Sequence, residues 1–123
     1  MIKVLEVMSE LMDELGLNYD YENLKKTLSY PYVIGEYFDN YYDYETNCSE
    51  GEFLLTLWDR DISSMNIIGL NEKIKNKFKE LRVIKDGTSI FFSYANSLPE
   101  QQGVNDLKKQ EIRIDVKYFE KGE

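Results

Sequence analysis

From Ile112 to Tyr118 the chain alternates strictly: Ile112, Ile114, Val116 and Tyr118 are separated by Arg113, Asp115 and Lys117. A strand turns successive side chains to opposite faces, so this pattern demands a sheet with one covered face and one wet face. The cover has to come from elsewhere in the chain, and two segments have the periodicity for it. Val4, Met8, Leu11 and Leu15, flanked by Leu5 and Met12, recur at three- and four-residue spacing with acids between them, which predicts an amphipathic helix stopped by Gly16. Ile67, Leu70, Ile74, Phe78 and Leu81 form a second such stripe, with Lys73, Lys75, Lys77 and Lys79 mostly off it. Asp61-Ile62-Ser63-Ser64 precedes that stripe and offers side-chain oxygens to the free amides of a helix start. Gly69 opposes the helix by about 1 kcal/mol relative to alanine.

Three further strands are expected. Tyr30 to Phe38 is rich in β-formers, with Pro31 suited only to the start or edge of a strand. Phe53 to Trp58 follows across a polar bridge, Asp39 to Glu52, which reads as the exposed tip of a long hairpin. Arg82 to Lys85 and Thr88 to Tyr94 flank Asp86-Gly87, a pair suited to the positive backbone angles of a tight hairpin turn. Ala95 to Lys109 is polar and aperiodic and reads as a long loop. Between Leu17 and Ser29, Tyr21, Leu24 and Leu28 have helical spacing, compatible with a short helix or a packed loop. The expected fold class is α+β: a mostly antiparallel sheet with two helices packed on one face, in the order α-β-β-α-β-β-β. At 123 residues, 42% of them hydrophobic, residues 1–123 can build one core and are expected to form a single domain.

The chemistry open to such a chain is narrow. It has no histidine, which removes the usual general base near neutral pH, the Ser-His and Cys-His pairs and the commonest transition-metal ligand. Cys48 is the only cysteine, so neither an intrachain disulfide nor a thiolate zinc cluster can form. A formal charge of -8 disfavours non-specific binding to nucleic acid or anionic membrane. Met1 to Leu15 has neither the basic start nor the apolar run of a signal peptide, and no segment approaches the roughly 18 apolar residues that span a bilayer. The expectation is a non-enzyme without catalytic, cofactor or metal sites, cytoplasmic where it is made.

Three clusters bear on function. The acids between Glu36 and Asp61 could gather a divalent ion, but Asp39-Asn40-Tyr41-Tyr42-Asp43 breaks the spacing of a calcium loop, and the acids read as a solvated surface, with Asp39 and Asp43 candidates for an interface. Asp59-Arg60-Asp61 reads as a strand end leading to a helix cap. Tyr37, Tyr41, Tyr42 and Tyr44 lie on one connection, where large amphipathic rings serve either as anchors for another protein or as packing for their own hairpin. The lysines, Lys73 and Lys77 among them, are either a solvated helix face or half of a complementary interface.

Tyr30-Pro31-Tyr32-Val33, then Phe53-Leu54-Leu55-Thr56-Leu57-Trp58-Asp59-Arg60, then a Lys- and Ile-bearing helix and an apolar closing strand, occur in this order over nearly the whole chain. The series resembles the tail terminator and minor tail (tail completion) proteins of long-tailed bacteriophages and prophages. The resemblance implies a structural subunit that forms a ring, usually a hexamer, on the end of the tail tube, stops its polymerisation and joins it to the head connector. It implies as partners further copies of the chain, the tail tube protein and a head-completion protein, with DNA passing through the channel unbound and no membrane. The place of action would be the host cytoplasm during assembly and then the tail or neck of the virion. A head-completion connector and an acidic inhibitor or immunity-type binding protein are the alternatives.

Overall fold

The computed structural model describes residues 1–22 and 29–120. In chain order the elements are α1 (Ile2–Glu14), β1 (Tyr19–Tyr21), β2 (Tyr32–Asp43), β3 (Cys48–Arg60), α2 (Met65–Phe78), β4 (Leu81–Lys85), β5 (Thr88–Ser97), β6 (Gln101–Gln102) and β7 (Leu107–Phe119). The fold is α+β. The strands lie in the order β1-β2-β3-β7-β5-β4, with β6 added to β7; β1 runs parallel to β2, and the other pairings are antiparallel.

β7 sits at the centre, as its alternation requires. Ile114 pairs with Phe53 and Ile112 with Leu55, and all four side chains are fully buried on the face that the helices cover. Val4, Val7, Met8 and Met12 of α1 and Ile74 and Phe78 of α2 join them in one core. α2 packs on the central strands β3, β7 and β5. α1 touches β1 and β4, which stand at opposite ends of the strand order, so the sheet curls until both ends meet one helix.

Local chemistry sets the element ends. α1 stops where Gly16 takes a φ of 70°, and the amides of Gly16 and Leu17 cap the carbonyls of Asp13 and Met12. Asp86 and Gly87 both have positive φ and close the β4–β5 hairpin as expected. At the start of α2 the N-cap Ser64 makes no side-chain cap, its hydroxyl turning away to Glu100; Ser63 Oγ accepts from the Met65 amide instead, and Asp61 Oδ1 accepts from the Ser63 amide just before the helix.

Several expectations need correction. Tyr21 belongs to a strand, β1, and the Leu24 and Leu28 parts of that reading lie outside the described residues. Leu81 opens β4 opposite Phe92 instead of closing α2, because the ladder to β5 claims its backbone. β2 and β3 run through most of the segment read as a hairpin tip and leave only residues 44–47 as the turn. The loop expected from Ala95 to Lys109 is largely strand: β5 continues to Ser97, β6 intervenes and β7 begins at Leu107. The element order thus gains two short strands over the expected one.

Candidate functional site: the β2–β3 hairpin and the exposed face of α2

The hairpin ends in a turn held by its own side chains. Asp43 Oδ1 accepts from the Glu45 amide at 2.9 Å, and Asn47 takes a φ of 56°. The Tyr42 hydroxyl donates to Asn47 Oδ1 at 3.0 Å, and the Tyr42 and Tyr44 rings meet edge to face at 4.8 Å. Below the turn the register slips between Asp39 and Tyr41, a bulge that re-aims the strand. Tyr41 and Tyr44 are 59% and 86% exposed, and Tyr42 is also exposed. Phe38 stands exposed beside them, an aromatic that the sequence reading passed over.

Tyr37 does not belong to this exposed group. Only 7% exposed, it packs against Phe53 with ring centroids 5.0 Å apart, and its hydroxyl end lies over Gly51. For this one tyrosine the hairpin does pack its own ring. Asp39 is exposed but accepts a hydrogen bond from Tyr118 at 3.4 Å, which anchors the base of the tip to β7.

The lysines divide in the same way. Lys77 pairs with Glu14 at 3.4 Å and so fastens α2 to α1, and Lys75 stands over the Tyr94 ring at 5.9 Å. Lys73 and Lys79 are exposed and join none of the ion pairs found among the described residues. At the other end of α2, Ile62, Met65 and Ile68 are exposed apolar side chains, the first of them 85% exposed. The sequence carried a signal for them: each falls off the buried stripe of Ile67, Leu70 and Ile74.

Asp59-Arg60-Asp61 disperses into three directions. Asp59 faces the core and is 2% exposed, with Oδ2 lacking a hydrogen-bond partner. The Arg60 guanidinium donates to the Asn105 carbonyl at 2.9 Å and lies 5.6 Å from the Tyr30 ring centre. Asp61 serves the helix start, so no acid pair converges here. Among the described residues no three acid or cysteine side chains gather as a metal would need, and no helix is long and apolar enough to cross a membrane.

Two buried phenols matter for stability. Among the described residues the Tyr19 and Tyr37 hydroxyls have no hydrogen-bond partner, and burial pushes both far above the ordinary phenol range, with the Asp39 carboxylate adding to the rise at Tyr37. An unpaired buried hydroxyl costs about 1–3 kcal/mol. Tyr37→Phe is therefore expected to stabilise the fold by about 1 kcal/mol in urea titration at neutral pH. The pH dependence follows from linkage. Unfolded phenols ionise near pH 10 while the buried ones stay protonated, so stability is whole below about pH 10 and falls above it. Tyr19→Phe/Tyr37→Phe should flatten that alkaline fall; a double variant as alkali-sensitive as the parent would contradict the assignment.

Compared with known proteins, the chain matches no protein-family model and no curated protein.

Proposed function

We propose that this protein is a tail terminator of a long-tailed bacteriophage or prophage, a structural subunit that forms a ring on the end of the tail tube, stops its growth and joins it to the head connector. The observation that carries the reading is the β2–β3 tip, which presents Tyr41, Tyr42 and Tyr44 to solvent on a segment, Asp39 to Glu52, holding five acids and no base. Exposed rings of this kind anchor protein interfaces; Tyr41 and Tyr42 stand on β2, which pairs with the central strand β3, and Tyr44 stands in the turn that the two strands close. The order of the Tyr30-Pro31-Tyr32-Val33 and Phe53-to-Arg60 strands with the helix that follows supports the identity through its resemblance to that family. An acidic lumen would let DNA pass without trapping it.

The test is light scattering over a wide concentration range with and without tail tube protein, with electron microscopy of tube lengths. The expected result is a ring-sized species and tubes that stop lengthening once the protein is added. A strict monomer that leaves tube growth unchanged would overturn the proposal. Capture of a portal-side connector in place of the tube would transfer the protein to head completion.

A further inference from the structure

We infer that the exposed face of α2 is the receptor for the β2–β3 tip of a second copy of this chain, with Ile62, Met65 and Ile68 as its apolar centre and Lys73 and Lys79 as its charged rim. The inference rests on the ring reading above and names the contact that would build it.

Met65, Gly69 and Lys73 are four residues apart and lie along one stripe of the helix, with Ile68 beside them. The stripe is apolar at its N-terminal end and mixed in charge further on, where the exposed Glu72 stands one turn beyond Ile68 and beside Lys73. Gly69 at its middle has no atom within 4 Å of where a side chain would start, so it leaves bare helix backbone between Met65, Ile68 and Lys73. A flat ring could lie on such a step. Exposed apolar side chains rimmed by charge are what interfaces use, and solvation alone gives no reason for three of them within seven residues at one helix start.

Charge selects the occupant. From Glu72 to Glu80 the chain holds four lysines and two acids, a net charge of +2, whereas Asp39 to Glu52 holds five acids and no base. The aromatic content matches as well, because the tip offers exposed tyrosines to an apolar step flanked by ammonium groups, a setting for both ring burial and cation–π contact. The tip and the helix face are different surfaces of one subunit. A contact between them across copies is heterologous and leaves each subunit with one donor and one acceptor surface, the arrangement that makes a ring when its rotation closes.

The experiment uses the full chain and charge reversal. Lys73→Glu/Lys79→Glu alters the helix rim, and Glu45→Lys/Thr46→Lys alters the turn, all at exposed positions. Each double variant, checked for wild-type melting, is expected to need at least about tenfold higher concentration to assemble, as measured by sedimentation at low salt. An equimolar mixture of the two should assemble again, because each reversed surface then meets its complement. Met65→Asp should abolish assembly without lowering the melting temperature. Raising salt should weaken the wild type.

Variants that assemble at the wild-type concentration, or a mixture no better than its parts, would overturn this contact while leaving the ring itself standing. Loss of tube binding with self-assembly intact would give the helix face to the tube protein and overturn the contact too. A wild type that stays monomeric at every concentration, with and without tube protein, removes the ring reading and this inference together.

Discussion

Phe53→Ala is expected to cost about 4 kcal/mol, enough to bring the domain near its unfolding threshold. Phe53 is fully buried on β3, pairs with Ile114 across the sheet, and sets its ring against those of Tyr37 at 5.0 Å and Tyr21 at 6.4 Å. Truncation removes apolar area and leaves a cavity between sheet and helices that central strands cannot close by relaxing. Urea titration should show a lower midpoint with an unchanged slope. Phe91→Ala is the control. Its ring is 39% exposed on the uncovered face, between Arg82 and Phe119, and the loss should be below about 1 kcal/mol. Equal losses at the two positions would mean that the covered face has been misassigned.

Gly51→Ala should cost about 3 kcal/mol for the opposite reason, crowding. A Cβ at Gly51 would stand 2.7 Å from Cζ of Tyr37 and would also run into the backbone carbonyl of Phe38. The ring could move, but the carbonyl belongs to the neighbouring strand. Tyr37→Leu combined with Gly51→Ala should therefore recover only part of the loss. Gly69→Ala provides the contrast: inside α2 with open space around it, the same methyl should stabilise by up to about 1 kcal/mol. Thermal melts of the three variants decide the matter, and a Gly51→Ala protein that melts like the parent would refute the packing of Tyr37.

Those two glycines also show where a sequence is readable. Both helices follow from their stripes, and β7 and the Asp86-Gly87 turn from purely local patterns, because in each case one period or one residue pair decides the backbone. The far halves of β2 and β3 do not. From Asp39 to Glu52 the residues are mostly acids, asparagines and tyrosines with no alternation; what makes them strand is the pairing of β3 to β7 as far as Cys48 opposite Phe119, a contact made with a distant part of the chain, and of β2 in turn to β3. β1 has three residues and β6 two, too few for any period to appear. Among the candidate site residues, Tyr41, Tyr42 and Tyr44 stay exposed as an interface anchor must, but Tyr37 is buried. A signal for that existed, since a glycine inside a strand marks a place where something approaches closely, and Gly51 lies diagonally across from Tyr37. Lys77 could not be separated from Lys73 without knowing that Glu14 lies within reach of it.

The curl that brings both ends of the sheet onto α1 bears on the order in which the chain is built. α1 leaves the ribosome well before β4, yet Lys3 pairs with Asp86, and Glu6 and Glu10 with Lys85, partners more than seventy residues downstream. Until β4 is synthesised, the apolar stripe of Val4, Met8 and Leu11 has only part of its seat. A nascent chain halted before residue 81 would carry that stripe without the strand that completes its cover.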